Sequence, residues 1–183
     1  NTCITCDWDG YWIDPQNASE FGENAKYFEH NIPEAKKLLA AAGYSNGLDI
    51  VAQYPPTIYG NDFVKYAEVL IGMASEAGFR IETKITNDTT EWPPLRDGSG
   101  NFDGFIYRAY GSSSQADPIE NIVAEMLPFE GNLAFSGFDA EGKGTFAGDP
   151  TLTDMVTKAR MELNSETKRS MIREIQRYFA KRM

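Results

Sequence analysis

The sequence contains few of the residues that metal sites and covalent catalysis most often use. His30 is its one histidine, and its two cysteines, Cys3 and Cys6, lie close to the first residue. A structural zinc site needs four such ligands, and a thioredoxin-like Cys-x-x-Cys pair follows a strand and opens a helix. Neither context is present, so the sequence favours a local disulfide or two incidental thiols and leaves a thiol-based enzyme as an alternative.

Long apolar runs and an excess of positive charge are also missing. No apolar segment approaches the roughly 20 residues that a helix needs to cross a bilayer. The 27 acidic residues outnumber the 17 basic ones and give a formal net charge of −10. This charge argues against nucleic acid or an anionic membrane surface as the main partner. We therefore expect a protein that binds no nucleic acid and does not insert directly into a membrane.

The motifs of several functional classes are incomplete in this sequence. The GKG run at residues 142–144 lacks the spacing and the hydroxyl residue of a phosphate-binding loop. The DWDG run at residues 7–10 lacks the spaced oxygen ligands of a calcium loop, and His30 is poorly placed for a Ser–His–Asp triad. We expect no catalytic residue, no metal and no cofactor. The many carboxylates leave an extracellular carbohydrate-active enzyme as a further alternative.

What the sequence does contain is a series of well-marked helices and strands. The segment at residues 31–44, NIPEAKKLLAAAGY, predicts one complete short helix. Asn31 is placed to cap its first turn, and Glu34 is placed to complete a capping box. Leu38, Leu39 and Ala42 share the apolar face of this helix, and Gly43 supplies the positive φ that ends it.

A long helix between two strands follows, in an order typical of α/β proteins. Alternating residues predict strands at 48–53 and 79–85, and apolar residues at helical spacing predict a helix from about Asn61 to Ala77. A third strand is expected at 104–110. Because a strand, a helix and a strand in this order favour a parallel crossover, we predict an α/β fold with a mixed, mostly parallel sheet flanked by helices.

The two ends of the chain differ in character. Residues 1–30 combine Trp and Tyr with Gly, Asn and Asp, which predicts an irregular segment anchored by its aromatic residues. Near the other end, Asp117 is expected to cap a helix that Pro118 opens. Residues 128–150 are predicted to be irregular, and two further helices are predicted between residue 150 and the end.

The elements of residues 31–183 together resemble the C-terminal lobe of the family 5 extracellular solute-binding proteins, the peptide-type receptors of ABC importers. The resemblance depends on order and spacing: an EAKKLL helix closing in AGY, a long helix ending in EAGF, a GNFDGFIYR strand, an Asp-Pro pair before a helix, and a last helix with IQRYF. It implies a lobe of the periplasmic-binding-protein type II fold that closes over its ligand together with a second lobe.

On this resemblance, residues 1–30 form the N-terminal segment of the lobe and residues 31–183 form its α/β body, while the partner lobe lies outside this sequence. The chain is then a non-catalytic domain fragment of an import receptor, located in the periplasm or held at the cell surface as a lipoprotein. The partners that the resemblance implies are a small-molecule or peptide ligand, the ABC permease of the transporter, and the N-terminal lobe of the same parent chain.

The loop after the third strand is the first candidate for ligand binding, because open α/β sheets bind ligands beyond the carboxyl ends of their strands. In peptide-binding relatives this loop carries a tryptophan and an aspartate, and the aspartate pairs with the amino terminus of the ligand. Here the position of the aspartate falls on a serine and the tryptophan is missing. This departure favours an anionic or polyhydroxylated ligand. The residues predicted to contact it are Arg108, Ser112, Ser113 and Ser114. The alternative is a serine-rich loop that binds nothing, with the arginine paired to a surface carboxylate.

Aromatic residues near the same strand ends are candidates for the wall of a binding cleft. We predict ligand contacts for Tyr59, Trp92 and Tyr110, with Tyr107 as a further candidate. Alternation places Tyr107 and Tyr110 on opposite faces of the third strand, so at most one of them faces the core. Trp92 can equally be a plug beneath its loop.

Overall fold

The chain folds as an α/β protein in which a parallel sheet and a set of packed helices form separate units. A computed structural model describes residues 6–96, 102–108, 117–127 and 148–182. These residues divide into two compact units. The first, here called the sheet unit, comprises residues 30–96 and 102–108. The second, the helical unit, comprises residues 6–29, 117–127 and 148–182.

The sheet has three strands in the order β2-β1-β3. The central strand β1 (Leu48–Tyr54) pairs in parallel with β2 (Phe79–Ile85) along its whole length. It also pairs in parallel with the short β3 (Phe105–Ile106). Helix α3 (Asn61–Glu76) makes the connection from β1 to β2. The predicted parallel arrangement and the predicted long helix are therefore confirmed.

The third strand is shorter than the sequence predicts. Of the described residues 104–108 in the predicted strand, the ladder covers Phe105–Ile106, and the N–H of Tyr107 still donates to the Gln53 carbonyl at 2.8 Å. Residues 109 and 110 lie outside the described residues. The ladder ends because β1 turns away at Pro55, which has no N–H to offer to a partner. At the other end of β3, Gly104 has a φ of +75° and lies so close to the Val51 backbone that a Cβ would collide with it.

Helix α2 (Ile32–Ala41) precedes the sheet and has the predicted ends. The Asn31 side chain accepts a hydrogen bond from the backbone N–H of Glu34 at 3.1 Å, and Gly43 follows the helix with a φ of +95°. The second half of the capping box is replaced by another contact, because the Glu34 carboxylate lies 3.4 Å from the ammonium of Lys37.

Helix α3 buries only part of its apolar surface. Phe63 and Ala67 are buried, but Leu70 is 46% exposed and Tyr66 is 67% exposed. The apolar stripe predicted from helical spacing is wider than the arc of a helix that one sheet face can cover. A second apolar face of α3 is thus left open to solvent among the described residues.

The helical unit is built around helices α5 (Pro118–Met126), α6 (Pro150–Met161) and α7 (Ser165–Arg182). Helix α6 packs against both α5 and α7, and the two helices predicted after residue 150 are confirmed. The core residues of this unit are Ile119, Ile122, Val123, Leu127, Leu152, Val156, Ala159, Ile172 and Ile175. No described helix has the length and apolar character needed to cross a membrane.

The N-terminal segment is more regular than predicted. It contains helix α1 (Ala18–Phe21) and a 3-10 helix (Glu23–Phe28) instead of an irregular chain. Phe21 and Ala25 are buried in a small cluster with Ala180 of α7. Tertiary burial of these residues overrides the turn-rich composition of the segment, because local propensity is a weak preference that packing readily outweighs.

Gln176 of α7 ties this segment to the helical unit. Its carboxamide oxygen accepts from the N–H of Ile13 at 3.1 Å, and its nitrogen donates to the carbonyls of Tyr11 at 2.8 Å and Ile172 at 3.2 Å. The side chain is fully buried. A buried amide is stable only when its hydrogen bonds are satisfied. Gln176 therefore helps to fix the path of the segment across α7, together with Arg173 and Arg177, which donate to the carbonyls of Gly10 and Glu20.

Candidate functional site

The carboxyl ends of the strands lie on one edge of the sheet unit, because β1, β2 and β3 are parallel. Strand β1 leads there into Pro55 and Thr57, β2 leads into Thr86 and Asp88, and β3 leads into Tyr107. This is the edge at which open α/β sheets bind ligands. We therefore describe it as the candidate site.

An aromatic cluster fills the floor of this edge, with Phe63 of α3 at its centre. The Phe63 ring centroid lies 4.8 Å from that of Tyr59 and 5.0 Å from that of Tyr107, with which it stacks at an interplanar angle of 25°. Tyr54 meets the same ring edge-on at 6.4 Å. Tyr59 and Tyr107 are only partly buried, so these two rings present apolar surface to a ligand.

Trp92, in the short helix α4 (Trp92–Arg96), packs against the Tyr59 ring of the same cluster. Its side chain has no exposed surface, and its indole N–H donates to the Tyr59 hydroxyl at 3.3 Å. The two rings meet at 87° with their centroids 6.1 Å apart. The geometry favours the second sequence interpretation, a plug beneath the loop, because a ligand cannot reach a fully buried ring. Trp92 supports Tyr59 from this position.

The pKa values of two phenols of the cluster, Tyr54 and Tyr107, are raised. Burial raises the pKa of Tyr54, and the nearby Glu68 raises it further. Burial also raises the pKa of Tyr107, with a smaller contribution from Tyr66. Near neutral pH these groups therefore offer hydroxyl donors and acceptors together with ring faces, and no charge.

A polar group lies beside the aromatic cluster and was not found by sequence reasoning. The Thr57 hydroxyl donates to Oδ2 of Asp88. The other carboxylate oxygen of Asp88 is buried without a partner, as is the hydroxyl of Thr86. The sequence signal was the TNDTT run directly after the second strand, in which Asn87 builds a turn by accepting from the N–H groups of Thr89 and Thr90.

Most residues of the predicted ligand-binding loop cannot be placed. Tyr110, Ser112, Ser113 and Ser114 lie outside the described residues. Arg108 is described and is half-buried two residues beyond β3. It belongs to the sheet unit, as do Tyr59 and Trp92.

Asp117 and Pro118 have the structural role that the sequence suggested. Oδ1 of Asp117 accepts from the N–H of Ile119 at 3.0 Å, and Pro118 occupies the first position of α5. The other oxygen pairs with the ammonium of Lys168. Both oxygens of this carboxylate are thus committed to the helix cap and to an ion pair within the helical unit.

The expectation that the chain holds no metal stays a prediction. Within the part of the chain that the structure describes, no group of three or more His, Cys, Asp and Glu side chains is close enough to hold a metal ion. Cys6 is an exposed free cysteine in a turn, whereas Cys3 lies outside the described residues. A turn lacks the strand and helix that activate a Cys-x-x-Cys pair.

Comparisons with known proteins point to one fold. No protein-family model and no curated protein matches the sequence. Among solved structures, the chain is similar to the ABC transporter-associated periplasmic binding protein DppA from Helicobacter pylori in complex with the peptide STSA. That match has a TM-score of 0.59 and 19% identity and covers 100% of this chain and 35% of DppA.

A second similar structure is NikA from Staphylococcus aureus in complex with Ni(L-His)2. Its TM-score is 0.58 at 20% identity, with 83% of this chain and 30% of NikA covered. The chain spans about a third of the length of either protein. It therefore has the α/β fold of a part of the periplasmic binding proteins.

Proposed function

We propose that this chain is a ligand-binding lobe of a family 5 solute-binding protein that serves an ABC importer. The observation that carries the proposal is the fold similarity to DppA along the whole of this chain. The partly exposed rings and the polar groups at the carboxyl edge of the sheet support the proposal, because open α/β sheets bind ligands at this edge. The lobe has no catalytic role in this proposal.

The ligand lies against the aromatic cluster and is closed in by the second lobe of the parent protein. Tyr59 and Tyr107 supply ring surface, and Trp92 holds Tyr59 in place. Arg108, Tyr110, Ser112, Ser113 and Ser114 supply polar contacts from the loop after β3. Because half of a clamp loses the contact area that closure adds, this lobe alone binds its ligand weakly.

The proposed partners follow from the receptor role. They are a polar small molecule or peptide as ligand, the N-terminal lobe of the same parent chain, and the permease that receives the closed form. The proposed location is outside the cytoplasm, in the periplasm or at the cell surface. The proposal includes no nucleic acid among the partners and no insertion of this lobe into a membrane.

Native mass spectrometry of the parent protein, purified from its own cells, tests the proposal. We expect a retained small molecule that is released on denaturation and that raises the melting temperature of the emptied protein when it is added back. The control is the emptied Arg108→Gln variant exposed to the same extract. This variant should recover less of the small molecule than the wild-type protein does. A parent protein that retains nothing, and that no fraction of the cell extract stabilises, would contradict the receptor role.

A further inference from the structure

We propose that the sheet unit has a second binding pocket, at the amino ends of its strands, and that this pocket takes a small aromatic carboxylate. Its volume is about 420 Å³, which is within the range of small-molecule sites. It lies at the sheet edge opposite to the candidate site, so the inference goes beyond the proposed function and does not depend on it. The pocket, here called the amino-edge pocket, is lined among others by Lys36, Leu39, Tyr44, Gly78, Phe79 and Arg80.

The floor of the amino-edge pocket is apolar. Leu39 of α2 is only 9% exposed, and Ala77 and Phe79 line the pocket with it. Tyr44, in the loop between α2 and β1, is 45% exposed and also lines the pocket. An open aromatic side chain beside apolar surface favours a ligand with a ring of its own, because two rings stack or meet edge-on.

The Arg80 guanidinium is fixed beside this floor. Its Nε and Nη2 donate to the two carboxylate oxygens of Asp49 at 2.6 and 2.7 Å, and Nη1 donates to the Asn46 carbonyl at 2.5 Å. Gly47, with a φ of +89°, permits this approach, because a Cβ there would lie 2.6 Å from Nη1. A guanidinium has five N–H donors, and these three bonds leave two of them for a ligand. Its planar group also stacks on aromatic rings.

The backbone around the pocket offers little to a cation. Helices α2 and α3 both end beside it, and the negative ends of their dipoles would by themselves favour a positive charge. The carbonyls there are already hydrogen-bonded, however, within the turns that end the helices or to the start of β1 and to Arg80. The carbonyls that accept in this way are those of Leu39, Tyr44, Asn46, Ser75 and Gly78. The polar groups left for a ligand are therefore mainly donors.

Lys36 adds the positive charge that selects an anion. Its side chain lines the pocket and forms no ion pair with any described residue, whereas the ammonium of its neighbour Lys37 lies 3.4 Å from the Glu34 carboxylate. The charge of Arg80 is balanced by Asp49. The pocket thus has one uncompensated cation, although the whole chain has a formal net charge of −10. A carboxylate satisfies this ammonium, and an aromatic body covers the apolar floor.

An amide NMR titration of the full chain with sodium phenylacetate tests this inference. We expect shifts at residues 44–47 and 78–80, and weaker binding of sodium acetate, which lacks the ring, and of benzyl alcohol, which lacks the charge. Lys36→Gln should weaken phenylacetate binding at least about threefold, and Tyr44→Ala should weaken it by a similar factor. Lys37→Gln is the matched control, because it removes the same charge from the next residue of α2, which does not line the pocket. It should leave the affinity unchanged.

Three results would overturn the inference. They are an absence of shifts at residues 44–47 and 78–80, equal weakening by Lys36→Gln and Lys37→Gln, and binding of acetate or benzyl alcohol as tight as that of phenylacetate. The outcome is separable from that of the proposed function. A parent protein that retains no ligand removes the receptor role and leaves this pocket in place. A receptor that retains its ligand while phenylacetate fails to bind keeps its role and loses the second site.

Discussion

The two units of this chain are held together in different ways. In the helical unit, side chains far apart in sequence join its elements: Lys168 pairs with Asp117, and Arg160 lies 2.8 Å from the Glu120 carboxylate. In the sheet unit, the backbone ladder between β1 and β2 and the aromatic cluster do this work. The helical unit adds such polar contacts to its apolar core. The sheet unit has the ion pair of Arg80 with Asp49 between β2 and β1 but depends mainly on its sheet and on ring packing.

The units also differ in how much apolar surface they leave open. Most of the large apolar side chains that are exposed belong to the sheet unit, and α3 alone contributes Tyr66, Val69, Leu70 and Met73. The helical unit has its own irregularity, since neither side-chain atom of the buried Asn121 has a partner. Among the described residues, the helical unit exposes fewer large apolar side chains, namely Tyr27, Met161 and Leu163, whereas the sheet unit keeps more apolar surface open to contact.

Removing the hydrogen bonds of Gln176 in the helical unit should give the largest change in the free energy of unfolding. Gln176→Ala leaves the N–H of Ile13 and the carbonyl of Tyr11 buried without partners. We expect a loss of about 3 kcal/mol in the free energy of unfolding, measured with urea. Gln16→Ala, at an exposed position of the same segment, should change it by less than about 0.5 kcal/mol. Equal effects of the two variants would mean that the tie does not hold the segment.

A matched pair of valines sharpens the comparison of surfaces. Val156 on α6 is 1% exposed, and Val69 on α3 is 60% exposed. Val156→Thr should cost about 1 to 2 kcal/mol, because it places a hydroxyl in the apolar core. Val69→Thr should stay within about 0.5 kcal/mol. Thermal and urea unfolding of both variants give the measurement. If Val69→Thr were as costly as Val156→Thr, the open face of α3 would be covered in solution.

The sequence predicted those parts of the fold that depend on local pattern. The cap of Asn31, the stop at Gly43 and the parallel strands around α3 follow from residue type and spacing. The pattern failed where distant contacts decide. Periodicity marks residues such as Leu70 as apolar but cannot say how much of α3 a sheet will cover. The region around Phe21 is helical because it is buried against α7, and the local sequence does not predict that contact.

The candidate site was predictable in position and less so in composition. Parallel strand ends located the edge, and Tyr59 was found there because aromatic residues are conspicuous. Trp92 shows the limit of that reasoning, since residue type cannot distinguish a wall from a plug. Thr57 and Asp88 are 31 residues apart. Their pairing depends on the register of β1 and β2, so their role appears only once the sheet is built.

The smallest expected effect concerns the response of the two units to alkaline pH. Burial raises the pKa of Tyr178, and its hydrogen bond to Asp149, 2.6 Å between oxygens, raises it further. The folded state therefore holds this proton more tightly than the unfolded chain, whose tyrosines titrate near pH 10. The resulting stability is fully present below about pH 10 and is lost as the pH rises through the folded pKa.

Urea unfolding between about pH 8 and pH 11 measures this loss for the wild type and for Tyr178→Phe. We expect the variant to be less stable at the lower pH, because it lacks the bond to Asp149, and to fall less steeply as the pH rises. Tyr54→Phe is the matched variant in the sheet unit, where burial and Glu68 raise the pKa without a side-chain hydrogen bond. It should reduce the alkaline slope while costing little at lower pH. If both variants lost the same free energy of unfolding at pH 8, the Tyr178 phenol would gain no stability from its hydrogen bond to Asp149. The contrast between the two units would then not extend to this residue.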